Sequence, residues 1–397
     1  MKVAGIIVEY NPLHNGHIHH IEETRRLSKC DILIAVMSGN FMQRGEPALI
    51  DKFTRTKMAL ENNIDLVIEL PFVFSVQNAD TFALTSVSIL DKMGVDEIYF
   101  GSESENIEPL IKIADILESE EYSVLVKKYI NDGNSYPTSY DLAIKDLSDT
   151  NEHSKPNNIL GVQYIKAIRK LESKIEIKAI KRINKDYYSE FDAKGEIQSA
   201  SALRKALFNK EDISKFVPKS VSVLLKNRRL ISLDDFSNQF KYILSSTPST
   251  ELEQLFGVKE GIENRIIKVK SISSSSDFIS QLLTRRYTNS RIRRMLIHIL
   301  CNTRKDVLTS FEVPYIRLLG MNDKGKDYLN VIKKNDSINI ISKVKEGIHP
   351  YLDMELRASK VYSLVSDKDI FKEEFKPLIY KRFNWLKSKK EYNIFGW

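Results

Sequence analysis

Four of the chain's seven histidines, His14, His17, His19 and His20, fall inside the stretch EYNPLHNGHIHHIEETRRL at 9–27. Three chemistries suit such a cluster: a metal site, donors aimed at a phosphate, or a polar helix start. His14 and His17 are three residues apart, and Gly16 directly before the second lets a ligand approach the backbone. Attack on the α-phosphate of a nucleoside triphosphate builds negative charge on the equatorial oxygens and on the departing pyrophosphate. Imidazole donors aimed at those oxygens lower the barrier at neutral pH, each by about 100- to 1,000-fold. Metal ligation fits less well. His19 and His20 point to different helix faces, and no cysteine or acid stands at ligand spacing, so no protein-held metal is expected. For His19 and His20 themselves, the polar helix start is the simpler role.

The flanks position the pair. KVAGIIVEY is an apolar, β-branched run of strand length, Asn11 and Pro12 break it, and HIHHIEETRRL can form a helix with Ile18, Ile21 and Leu27 on one face. The H-x-G-H residues then lie at the first turn of a helix, where unpaired N–H groups and the positive dipole end favour an anion. DILIAVMSG, DLVIEL, EIYFGSE and IEIKAIKRI are further strand candidates. Helical patterns separate them, at 51–63 with Phe53, Met58 and Leu60 as core residues and at 79–94 closing on Gly94. This alternation predicts an α/β fold, a doubly wound parallel sheet over 1–214, with 107–147 as a helical insertion or lid. Ligands in such sheets sit beyond the carboxyl ends of the strands, here at 11–17, 38–44, 71–74 and 101–103. Gln43 and Arg44 on the loop SGNFMQRGEP offer a clamp for a small carboxylate or a phosphate.

The H-x-G-H segment is similar to the signature of the HIGH-motif nucleotidyltransferase superfamily. More narrowly, GIIVEYNPLHNGH, SGNFMQRGEPALIDKFTRTKMAL, FGSE and KPNNILGVQYIKAI, in this order, resemble the bacterial tRNA(Met) cytidine acetate ligases, strongly over the first half and more loosely beyond. The resemblance implies ATP as the nucleotide. It places ATP against Ile7, Val8, Glu9, Tyr10, Asn11, Pro12, Leu13, His14, Asn15, Gly16, His17 and His20, with Gly101 under the adenosine. It also assigns an ATP contact to Asn157, with Asn158 as the neighbouring alternative; either can instead cap the helix that starts there. A second superfamily signature, I-S-S-T-x-I-R, is matched in part by Q-S-A-S-A-L-R at 198–204, through Ser199, Ser201 and Arg204. Ala200 removes one expected hydroxyl and no K-M-S-K-S lysine is present, which leaves Arg204 and Arg182 as candidates to hold pyrophosphate. The implied activity joins acetate to ATP, giving acetyl-adenylate, and passes the acetyl group to the exocyclic amine of the wobble cytidine of elongator tRNA(Met). Gln43 and Arg44 would hold the acetate carboxylate, with Phe41, Phe72 and Phe74 as wall for its methyl group. Mg²⁺ is expected on the phosphates on general grounds. Two other activities compete: a metabolite adenylyltransferase, disfavoured by the large basic second half, and a non-catalytic RNA-binding protein, disfavoured by the intact H-x-G-H.

Beyond 215 the strand–helix alternation stops, and 215–397 is expected to be a mainly helical RNA-binding region. Arg285, Arg286, Arg291, Arg293 and Arg294 lie within ten residues that contain no acid, with Tyr287 among them. On the helix that follows, Ile292, Met295, Leu296 and Ile299 form the core stripe, while Arg291, Arg294 and His298 share another face that suits a phosphate backbone. An adjacent tyrosine suits an unstacked base. VPYIRLLGMNDKGKDYLNVIKK predicts a strand–turn–helix unit, and FKPLIYKRFNWLKSKKEYNIFGW a basic aromatic helix. With 42% hydrophobic and 28% charged residues among 397 the composition is globular. No apolar run reaches the ~18 residues of a membrane span. The N-terminus enters a strand without a signal peptide, and Cys30 and Cys301 match no zinc or redox spacing, so a cytoplasmic location is expected. A net charge of +7 favours polyanions mildly, and nothing indicates a protein partner.

Overall fold

The computed structural model describes all residues except 105, 151, 184–196, 227, 270, 309, 334–338 and 383–397. Five strands, β1 (Val3–Val8), β2 (Ile32–Ser38), β3 (Leu66–Leu70), β4 (Glu97–Ser102) and β5 (Glu176–Lys181), run parallel in the order β5-β4-β1-β2-β3. The chain lays β2 and β3 to one side of β1, then β4 and β5 to the other, so the order reverses beside β1. That is where a doubly wound sheet opens a crevice. Every residue of β2 and β3 is buried, as two-sided cover by helices requires.

The sheet continues past the expected parallel set. Strand β6 (Ile316–Asn322), from the predicted strand–turn–helix unit, pairs antiparallel with β3, and β7 (Ile340–Ile341) and β8 (Ile379–Lys381) pair parallel with β6. One eight-stranded sheet therefore draws strands from both sides of residue 214. Without β6, the fully buried β3 would be an open edge. The remainder of the second half is helical among its described residues, as expected. The expected basic C-terminal helix has β8 near its start, and its residues from 383 onward lie outside the described set. No described helix is long and apolar enough to cross a membrane.

Helix Asn15–Ser28 turns Ile21, Thr24 and Ser28 inward, while Leu27 is 46% exposed. The expected face was misdrawn at its end: seven residues after Ile21, at nearly two full turns, stands Ser28 rather than Leu27. On helix Lys52–Glu61, Met58 and Leu60 are buried as expected, but Phe53 is only half-buried. Two charged residues of that helix, Lys52 and Arg55, are fully buried, which its pattern did not announce. Lys52 Nζ meets Glu69 at 2.5 Å, Glu374 at 2.8 Å and Glu355 at 2.9 Å. Arg317 on β6 pairs with Glu69 at 2.6 Å and with Glu374. Helices Glu108–Glu118, Glu120–Asn131 and Tyr136–Leu147 bury Leu110, Ile113, Tyr122, Val126 and Ile144 in the core that includes helix Pro156–Lys170.

Candidate active site

His14 is the N-cap of helix Asn15–Ser28, and its Nδ1 accepts the Gly16 N–H at 3.1 Å. The His14 N–H in turn donates to Nδ1 of His17 at 3.2 Å, closing a capping box made of two imidazoles. The rings stack at 3.8 Å, and Tyr10 meets His17 edge-on at 5.1 Å. A ring nitrogen that accepts a backbone N–H carries no proton, so the neutral tautomer of each ring has its proton on Nε2. Both rings are thereby fixed as Nε2–H donors. Burial holds them neutral. Desolvation, then the Arg182 and Arg204 charges, lower His14 to about 3, and desolvation, then His14, drive His17 well below the usual imidazole value.

A cavity of about 240 Å³ opens at this point, at the carboxyl ends of β1, β4 and β5. Of the residues expected at the nucleotide, Ile7, Val8, Glu9, Tyr10, Asn11, His14, Gly16, His17, His20, Gly101, Asn157, Arg182, Ser199 and Arg204 line it. The side chain of Arg182 lies across Gly101, where a Cβ would come 3.3 Å from its Cγ, and its guanidinium donates to Asn157 Oδ1 at 3.1 Å. Asn157 also donates to Glu103 at 2.5 Å. Arg204 donates to the Asn11 carbonyl at 2.9 Å, and Ser199 caps helix Ala200–Phe208 while its hydroxyl lies 3.0 Å from that of Ser201.

Pro12, Leu13, Asn15, Asn158 and Ser201 do not line the cavity. Leu13 is in the core, Asn15 reaches away to the Lys215 carbonyl, and Asn158 is buried, spent on Ser102 at 2.7 Å and Glu152 at 2.6 Å. Gln43 and Arg44 do line it, but Phe41, Phe72 and Phe74 do not. Those three rings pack into the core against Phe236, His298, Tyr351 and Tyr362. The apolar wall comes instead from Met42, Phe82, Phe100, Leu160 and Tyr164. The helical segment expected as an insertion or lid contributes no described residue to the lining. Among the described residues no three His, Cys, Asp or Glu side chains group as a metal site.

Fully buried Arg55, missed by sequence reasoning, binds the ends of two strands together. It donates to the carbonyls of Glu9 at 2.7 Å, Ser38 at 3.0 Å and Ile50 at 3.2 Å, and to that of Gly39. Its charge lies beside Glu9, whose carboxyl burial pushes up from the usual range.

The arginine-rich segment lies next to this cavity. In helix Asn289–Leu300, Arg293 pairs with Glu46 at 2.6 Å, and Glu46, a cavity residue, also meets Arg204 at 3.3 Å. Gly45, at φ +75°, sits so close to this helix that a Cβ there would fall 2.3 Å from the Arg294 nitrogen. Arg285 and Arg286 are exposed; Arg291 stacks on Tyr287 at 3.9 Å and approaches Glu260 at 3.6 Å. Arg294, half-buried, is lowered to about 10 by desolvation and then by Arg291 and Arg44. Two expectations fail. Tyr287 is buried, its hydroxyl bound to the Lys259 carbonyl at 2.7 Å, so it offers no platform for a base. His298 is also buried, its Nε2 2.8 Å from the Val76 carbonyl, so the cationic face ends at Arg294.

The model of the family described as HIGH Nucleotidyl Transferase matches residues 1–376. A Caldicellulosiruptor saccharolyticus protein named tRNA(Met) cytidine acetate ligase is 43% identical over 92% of this chain and 94% of its own. Its Bacillus subtilis namesake is 40% identical, with 92% of each chain covered. The crystal structure of Thermotoga maritima TmcAL bound with alpha-thio ATP superposes with a TM-score of 0.85 at 32% identity, covering 96% of this chain and 100% of the other.

Proposed function

The chain belongs to the tRNA(Met) cytidine acetate ligase family of HIGH nucleotidyl transferases, and from that premise we propose that it activates acetate with ATP and acetylates the wobble cytidine of elongator tRNA(Met). In the first step an acetate oxygen bonds the α-phosphorus, the bond to pyrophosphate breaks, and acetyl-adenylate forms. In the second the exocyclic amine of the cytidine bonds the acetyl carbon, and AMP leaves. Activation is required because a carboxylate is a poor electrophile and that amine a weak nucleophile.

One observation carries this reading: two stacked, neutral imidazoles fixed as Nε2–H donors at a helix N-terminus. Directed at α-phosphate oxygens, they stabilise charge that grows only in the transition state. Arg182 and Arg204 supply the permanent charge for pyrophosphate in place of the missing lysine. Gln43 and Arg44 face the acetate carboxylate, with Met42 and Phe82 beside its methyl group. Among the described residues the lining carboxylates are Glu9 and Glu46, and Glu46 is held by two arginines. Mg²⁺ accordingly enters on the phosphates as part of the substrate. The arginines from 285 to 294 hold the tRNA backbone beside the cavity.

The test is stoichiometric. Pyrophosphate release should require acetate, AMP should appear only as the acetyl group leaves, and mass spectrometry of the tRNA should find acetylcytidine. AMP retained covalently in a stable product would point instead to a metabolite adenylyltransferase.

A further inference from the structure

The acyl transfer has a proton to dispose of. As the amine nitrogen bonds the acetyl carbon, one N–H proton must go, while the broken acyl C–O bond leaves its electron pair on AMP. His14 and His17 are closed to this proton, because each Nδ1 is occupied by a backbone N–H and each Nε2 already carries its hydrogen. Of the two carboxylates among the described lining residues, Glu46 is occupied by Arg204 and Arg293.

Glu9 remains. It follows β1 at the crevice, with Oε1 accepting the Gln43 N–H at 2.7 Å and standing 3.5 Å from the Ser38 hydroxyl. Its second oxygen receives no hydrogen bond from any described residue. Arg55 fixes the Glu9 carbonyl, so the backbone that aims the side chain is itself tied. Resting on the ligase reading, we infer that Glu9 is the general base of acyl transfer: Oε2 takes the amine proton as the N–C bond forms and AMP departs.

The electrostatics suit the task. Burial raises the Glu9 carboxyl above its ordinary range, against the lowering by the Gln43 N–H and by Arg204, Arg44 and Arg55; the Tyr164 hydroxyl faces it from helix Pro156–Lys170. A carboxylate so raised is a stronger base once ionised than one in water.

Single turnovers from preformed acetyl-adenylate and tRNA, over about pH 5 to 9, isolate this step from ATP chemistry. Wild-type transfer should rise about tenfold per pH unit on the acid side and then level off. Glu9→Gln should transfer about 100-fold more slowly or worse, with the acid limb gone. Glu9→Asp should be slower yet keep the limb, and it carries the test if the glutamine variant does not fold. Glu9→Gln within about threefold of wild type, or slow with an unchanged limb, overturns the inference; so does Glu9→Asp without a limb. Failure confined to reactions started from ATP would place Glu9 in nucleotide activation instead. If wild type itself cannot transfer from acetyl-adenylate, the ligase reading falls first.

Discussion

At His14 one side chain serves two ends, capping a helix through Nδ1 and facing the cavity through Nε2. The roles separate by substitution. Asparagine is a good N-cap, so His14→Asn should keep the helix start, which alanine would cost by about 1 kcal/mol. It removes the Nε2–H, and acetyl-adenylate formation should drop by about 100- to 1,000-fold at an almost unchanged melting temperature. Normal acetyl-adenylate yield from folded His14→Asn would take the ring out of the first step. The placement of this pair at the cavity was legible because the signal is local: residue type, spacing and a strand before a helix sufficed. Phe82, Phe100, Leu160 and Tyr164 were not, since nothing in a single segment says which ring of a distant helix or strand will close a cavity. Phe41, Phe72 and Phe74 erred for the same reason. They stand beside the right strand ends but turn into the core.

Among the elements, the turn at 42–46 and helix Asn289–Leu300 form one unit, locked by Gly45 against the helix backbone and by Glu46 between Arg204 and Arg293. The five arginines therefore differ. Arg291→Ala with Arg294→Ala removes charge outside the Glu46 bridge, so tRNA acetylation should weaken and its salt dependence should flatten by about one unit per lost phosphate contact. Acetyl-adenylate synthesis without tRNA should change far less. Arg293→Ala frees Glu46 to act on Arg204 alone, so here both activities should fall. Measuring the two reactions at two salt concentrations separates the variants, and an equal loss of both from Arg291→Ala with Arg294→Ala would mean that those arginines serve the fold. The periodicity of this helix was legible in Ile292, Met295, Leu296 and Ile299, all buried. The burial of His298 and Tyr287 was not, because polar rings enter a core when a distant carbonyl receives them, as those of Val76 and Lys259 do here.

Across the whole molecule, the parallel strands β1 to β4 were legible as apolar runs, but the antiparallel addition of β6 to β3 depends on pairing between residues some 250 positions apart, which no local pattern records. The same long-range contact explains the buried Lys52. Its partners Glu355 and Glu374 follow β6, while Lys52 and Glu69 lie in the first half of the chain, so a charge on a short helix closes a network that joins the two halves. Two cations face three carboxyls. Burial, the largest influence, raises the Glu69 carboxyl above its usual range against the lowering by Arg317 and Lys52, which favours its protonated form and moves the five groups toward balance. Lys52→Met upsets that balance by leaving a buried carboxylate without its counter-charge, which should cost about 3–5 kcal/mol in urea unfolding. Adding Glu355→Gln to Lys52→Met restores neutrality, and its carbonyl oxygen can still accept the Phe72 N–H that Glu355 holds at 2.6 Å. The double variant should therefore recover much of the loss. Lys52→Met as stable as wild type would show that the network does not hold the halves of the sheet together. A double variant worse than the single one would show that hydrogen-bond geometry at Glu355, rather than net charge, decides.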